Sequence, residues 1–290
     1  MVCSFGDMLR VPTNSGRSQI RSLEQARAQG ASVTAIATPQ EAITLAQQHT
    51  DKTIVFFAAG FETTMAPIAA LIDQGVPNNL KLLLAGRRTW PAVQMLLQSP
   101  HNQLNALIAP GHVATIMGTN EWWFAVKDYH LPLAVAGFTL DSLLPAIYSV
   151  CVQYLQHTPM LHNCYAQVVH EEGNPRARTL LNKVFSIENA SWRGIGEIPA
   201  SGFRLKPDYH NLDAYSIFAQ LIAGIETTEQ SMPKGCDCDR VILGQRSPLD
   251  CKLYQTACTP AQPVGPCMVS DEGACHIWWQ NGIRLNAATH

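Results

Sequence analysis

A chain of 290 residues with 47% hydrophobic and 14% charged side chains is long enough for two compact domains and too apolar for extensive disorder. Its 20 basic and 22 acidic residues leave a net charge of −2, which argues against a nucleic-acid surface as its main business. No apolar run reaches the roughly 18–20 residues of a membrane span. The start, MVCSFGDMLR, has neither a basic nor an apolar leader region, so the sequence predicts a cytoplasmic protein without membrane or nucleic-acid partners.

The first half alternates between strand and helix signals. Residues 1–5 read as a short buried strand ending at Gly6, and 13–16 as a polar turn. A helix is expected over 18–29, with Ile20, Leu23 and Ala26 at helical spacing and Gly30 as its stop. A strand over 32–37 leads to a helix over 39–48, with Thr38 as cap and Pro39 in the first turn. TIVFFAA at 53–59 is the clearest buried strand. Further elements are expected as helix 66–74, strand 80–85, helix 90–97, strands 106–109 and 133–136, and helix 140–155. This rhythm predicts an α/β fold of parallel sheets flanked by helices, with ligands beyond the carboxyl ends of the strands. Suspicion therefore falls on Gly6-Asp7, on Gly60-Phe61-Glu62-Thr63-Thr64 and on Pro110-Gly111-His112.

The three expected regions are α/β domains over 1–139, a less regular middle segment over 140–230 packing on them, and a cysteine-rich, loop- and helix-rich region over 231–290. Of nine cysteines, six fall in the last part, at 236, 238, 251, 258, 267 and 275. Close C-x2-C pairs of the zinc-ribbon kind are absent from it, and wide spacings suit an iron–sulfur cluster held from several loops. One set reads C-x14-C-x6-C-x16-C through Cys236, Cys251, Cys258 and Cys275; Cys238 in place of Cys236 shortens the first gap to 12. Chemistry alone does not choose between those two. Cys267, in PVGPC, reads as a spare, and spare thiols near a cluster are either simply buried or form a redox-active disulfide. Zinc held by these cysteines is the rival reading.

Elsewhere, Glu62 with Thr63 and Thr64 is either a proton acceptor, a metal ligand or a helix cap. GFETT is not a phosphate loop. His112 is either a ligand or base or a structural histidine, and Asp7 and Arg10 are candidates to pair with each other. Trp192-Arg193-Gly194 reads as a domain-packing corner.

FGDMLRVP, GFETT, PGHV, the run from EEGN to WRGIGEIP, and CTPAQPVGPCMVSDEGAC together resemble the HypD family of [NiFe]-hydrogenase maturation proteins, over essentially the whole chain. The resemblance implies two α/β domains and a C-terminal region carrying a [4Fe-4S] cluster. It implies a scaffold that works with the chaperone HypC, and with cyanide supplied by HypE, to assemble the Fe(CN)2(CO) unit of the hydrogenase active site. Such a protein is an assembly factor rather than an enzyme converting a free metabolite. The resemblance makes Cys251, Cys258 and Cys275 cluster ligands, with Cys236 or Cys238 as the fourth, and sets Asp7, Glu62, Thr63, His112 and Glu272 along the cleft near the assembling iron.

Family members carry CGxH and GPGCPVC segments ahead of FGDMLRVP, and this sequence begins at that motif. The first domain is therefore expected to be shortened, with an exposed sheet edge or face at its first strand and poor solubility. Asn163-Cys164-Tyr165 stands where the family often has a glutamine in the middle position. Asp239, after GCDC, adds a carboxylate that would lower the potential of a nearby cluster. The competing functions are an iron–sulfur oxidoreductase acting on a small molecule and a zinc-stabilised interaction protein.

Overall fold

TIVFFAAG and LKLLLAG are apolar at almost every position, which suits strands covered on both faces. The computed structural model, which describes residues 1–13, 20–100, 102–223 and 232–282, places them side by side. The first part runs β1 (Val2–Phe5), α1 (Leu23–Ala28), β2 (Val33–Ile36), α2 (Pro39–Gln48), β3 (Ile54–Gly60), α3 (Glu62–Gln74), β4 (Leu80–Gly86) and α4 (Thr89–Gln98). Its four strands form an all-parallel sheet in the order β2-β1-β3-β4. The expected turn at 13–16 and the start of the expected helix at 18 lie mostly outside the described residues.

The expectation of an exposed edge at β1 is not met. β1 pairs with β2 from Val2↔Val33 to Phe5↔Ile36, and with β3 from Val2↔Val55 to Ser4↔Phe57. The chain crosses through α1 to fill one side and through α2 to fill the other, so both edges of β1 are used. The outer edge of β4 is partly covered as well, by bridges from Leu82 to Asp213 and from Arg87 to Gly202.

A second unit follows: β5 (Leu107–Pro110), α5 (Gly111–Met117), α6 (Trp123–Lys127), β6 (Leu133–Ala136), α7 (Leu140–Gln156) and β7 (Leu161–Asn163). Its strands form a parallel sheet in the order β5-β6-β7. The chain thus stays in this sheet past residue 139, and β7 is three residues that alternation does not reveal. Buried Gln153 ties the unit together, its Oε1 accepting from Leu133 N and Met160 N and its Nε2 donating to Leu133 O.

The middle is more regular than its polarity suggests. Asn174 caps α8 (Pro175–Val184), accepting from Ala177 N, with Pro175 in the first turn. The antiparallel pair β8 (Phe185–Trp192) and β9 (Gly196–Leu205) follows, then α9 (Ala214–Ile217) and α10 (Ala219–Ala223). The C-terminal region carries α11 (Cys238–Ile242) and α12 (Ala274–Gln280), joined by turns. Its core is built from cysteines with Val241, Tyr254 and Met268.

The register between β3 and β4 runs from Ile54↔Leu80 to Gly60↔Gly86, so the two strands end level. The helix after β3 begins at Glu62, four residues before the expected start at 66, because GFETT itself forms the first turn. There a carboxylate is favoured by the positive helix end. A Cβ at Gly60 would run into the Thr64 side chain, and one at Gly86 would lie 2.5 Å from Met65 Sδ. Gly60→Ala is expected to cost about 1–3 kcal/mol through this overlap, read as a lower urea midpoint at unchanged slope. An unchanged midpoint would show that the turn relaxes freely.

Candidate functional site

Level strand ends bring the first turns of α3 and α4 together. Glu62 is fully buried, and its two oxygens accept from Thr89 N and Thr89 Oγ1, each at 2.7 Å. Burial lifts the Glu62 carboxyl above its usual range; the Thr89 hydrogen bonds and the Arg88 charge oppose the rise. Arg88 lies 3.6 Å from Glu121, donates to Ala200 O at 3.1 Å and covers the Trp90 ring at 5.2 Å.

Glu121 is the residue sequence reasoning missed. It stands in the turn between α5 and α6 and reaches the ends of β3 and β4 from the second unit. Its Oε2 is buried without a hydrogen-bond partner among the described residues. Its carboxyl is pushed up to about 7, first by burial and then by the Glu62 charge, with Arg88 opposing. The only sequence signal is a glutamate set against Trp122-Trp123 in NEWW. Chemically, burial beside a second carboxyl makes Glu121 a group that can take up or release a proton near neutral pH.

His112 opens α5 at the end of β5, on the second sheet. It is exposed, with Phe138 edge-on at 4.9 Å and Tyr165 at 6.2 Å. Asn163 shapes the turn that places Tyr165, accepting from Tyr165 N and donating to Val169 O. Burial raises the Cys164 thiol. Thr63 is half-buried in the first turn of α3.

Asp7 and Arg10 do not pair with each other. Asp7 Oδ1 accepts from Met8 N at 2.8 Å, while Arg10 reaches Val269 O in the cysteine region at 3.2 Å. Arg193 donates to Pro12 O at 2.6 Å, and Gly194 packs against Met232 and Asp239. Trp192-Arg193-Gly194 is thus a packing corner between the front loop and the cysteine region. Glu272 is exposed before α12, its N–H bonded to Ser270 Oγ. No hydrogen bond or ion pair joins Asp7, Glu62, Thr63, His112 and Glu272 among the described residues.

In the C-terminal region the sulfurs of Cys238, Cys267 and Cys275 lie within 4.8 Å of one another, all buried. Cys267, the expected spare, is inside this group because the Gly265–Pro266 turn points it at Cys238: Cys267 N donates to Cys238 Sγ at 3.4 Å. Hydrogen bonds from Cys238 and Cys267 pull the Cys275 thiol down to about 5, while hydrogen bonds with Cys238 and Cys275, together with burial, raise Cys267. Cys236 is held up by its hydrogen bond with Cys238 and by burial. A Cβ at Gly265 would overlap the sulfurs of both Cys236 and Cys238. Cys258 Sγ accepts from Val264 N, and Cys251 Sγ lies 3.8 Å from Gly235 O. A buried, all-sulfur donor set in an apolar shell fits a soft-metal or iron–sulfur group.

A family model described as "HypD: Hydrogenase formation hypA family" matches residues 1–282. The chain belongs to the HypD family. The HypD hydrogenase maturation factor of Azotobacter vinelandii is 37% identical over 297 residues, covering 99% of this chain and 76% of that protein. HypD of Escherichia coli is 36% identical over 96% of this chain and 73% of its own length. HypD2 of Bradyrhizobium diazoefficiens is 33% identical over 97% and 74%. Membership in HypD makes this chain a hydrogenase maturation protein. Among the described residues no helix is long and apolar enough to cross a membrane.

Glu121 yields a pH test. Its folded pKa lies above the unfolded value, so its stabilising effect is complete below about pH 4.5 and is lost as pH rises through about 7. Glu121→Gln should flatten the fall in stability between pH 5 and 8. At pH 8 it should gain about 2 kcal/mol over the parent in denaturant titrations. A variant as pH-dependent as its parent would remove Glu121 as the titrating group.

Proposed function

We propose that this protein is a cytoplasmic scaffold that, with a HypC-type chaperone, assembles the Fe(CN)2(CO) unit of [NiFe]-hydrogenase, with cyanide delivered by a HypE-type donor. The observation that carries this reading is the convergence of Cys238, Cys267 and Cys275 in a region bonded to the FGDMLR loop through Arg10. On this reading the C-terminal region holds a [4Fe-4S] cluster, with Cys251, Cys258 and Cys275 as ligands and Cys236 or Cys238 as the fourth. Such a cluster supplies electrons one at a time.

The chain's own residues supply the rest. At the ends of β3 and β4, Glu62 is fixed by Thr89 and raised by burial, and Glu121, facing Arg88, is pushed up to about 7, where it can take up or release a proton near neutral pH. His112 offers an imidazole ring in an aromatic corner. Asp7, Glu62, Thr63, His112 and Glu272 are the family-motif positions assigned to the iron unit, which is the substrate. The Trp192–Gly194 corner and Arg10 hold the front loop against the thiol region, fixing their separation.

The test is iron, zinc and acid-labile sulfide on protein purified without oxygen, beside its visible spectrum. About four iron and four sulfide per chain, with a brown colour, are expected. Cys258→Ser should lose colour and iron, whereas Cys164→Ser should keep both. About one zinc without sulfide would overturn the iron–sulfur reading in favour of a zinc-stabilised protein. Equal loss of iron in Cys164→Ser would overturn the ligand assignment. Restoration of hydrogenase activity in cells lacking their own HypD tests the scaffold role, and failure by the cluster-loaded protein would sink it.

A further inference from the structure

The PVGPC run at 263–267 packs on the thiols, with Gly265 and Cys267 buried and Val264 half-buried. Its two prolines have no N–H, so the run carries three backbone donors, on Val264, Gly265 and Cys267. All three face sulfur. Val264 N donates to Cys258 Sγ and Cys267 N to Cys238 Sγ, each at 3.4 Å. The Gly265 N–H also faces Cys258: burial raises that thiol, and the N–H groups of Gly265 and Val264 oppose the rise. The carbonyls of Gly265 and Pro266, by contrast, make ordinary turn bonds, accepting from Met268 N and Val269 N. A buried N–H needs a partner, and a neutral thiol is a weak acceptor. A thiolate, or a sulfur bound to iron, accepts the same bond more strongly because it carries negative charge.

Gly265 lets the run come this close. Its φ of −110° and ψ of 156° suit any residue, so what matters is space rather than backbone freedom. A Cβ there would lie 2.4 Å from Cys238 Sγ and 2.5 Å from Cys236 Sγ. We propose that the 263–267 run is a cradle of N–H donors that raises the reduction potential of the iron–sulfur group held by these cysteines, with Gly265 as its positioning residue. The inference rests on the iron–sulfur reading above and deepens it. Hydrogen bonds to the sulfurs are among the factors that set such potentials. Reduction adds one electron, from an external low-potential donor, and no bond forms or breaks. N–H dipoles aimed at sulfur favour the added negative charge, so the reduced form gains more from the cradle than the oxidised form does. The prolines on either side of Val264 and Gly265 fix their own φ and limit how far the donors swing away.

The test uses the full chain, with its cluster rebuilt from iron and sulfide without oxygen. Rebuilding is done once in H2O and once in D2O, so that the amides of the empty chain exchange first. The iron–sulfur stretching bands in the resonance Raman spectrum of the parent should shift in D2O, and those of Gly265→Ala should shift less. In a dithionite titration followed by electron paramagnetic resonance, Gly265→Ala should show a lower midpoint potential than the parent at equal iron and sulfide content. The D2O shift is read on the parent, so it decides the matter even where Gly265→Ala takes up no iron. A loaded parent whose bands do not shift overturns the proposal, and so does a loaded Gly265→Ala with the parent's potential. Both of those results leave the iron–sulfur reading intact. A parent that holds no iron and sulfide is instead the failure of that reading, and the proposal falls with it.

Discussion

A fully buried carboxyl must be hydrogen-bonded or neutralised, and Glu62 imposes that demand on everything around it. Two oxygens need two donors, and Thr89 supplies both from one residue. This works only because β3 and β4 end level at Gly60 and Gly86, and because neither glycine has a side chain to push the next helix away. The same geometry brings Arg88 to the rim, where it meets Glu121 from the second unit and Ala200 from β9. One satisfied acid thus fixes how two sheets and a hairpin meet.

The thiol region obeys a different logic. It has few apolar side chains of the usual core types, and cysteines take their place around Tyr254 and Met268. Thiols are small and weakly polar, so they bury readily. Several buried sulfurs in contact also form a soft ligand field, which an aliphatic core cannot do. Packing and chemistry are here served by the same atoms. The Gly265 turn shows how close the fit is, since no larger residue leaves room for Cys236 and Cys238.

Much of this was legible in the residues. β3 and β4 announce themselves because buried parallel strands need unbroken apolar runs, and α2 because Thr38 and Pro39 mark its start. The start of α3 was not legible, since GFETT reads equally as a loop until Glu62 is seen to be held by Thr89. The central place of β1 depends on where β2 returns, which no local pattern encodes. The β8–β9 pair was hidden by its polar outer face and by a shift of register between Glu188 and Ala190. Cysteine spacing revealed that the thiols act together but not that Cys267 joins them. Glu121 acquires its significance only through residues far away in sequence.

The bond from Arg10 to Val269 spans 259 residues of chain. During synthesis at roughly 5–20 residues per second, the front loop waits on the order of ten seconds or more for its partner to emerge. Both sheets have their strands by then, and Arg193 can already hold Pro12 O, but the loop still lacks its bond to the cysteine region. Closure of that loop is therefore among the last events in making the molecule. Until then the bond that joins the loop to the cysteine region is missing.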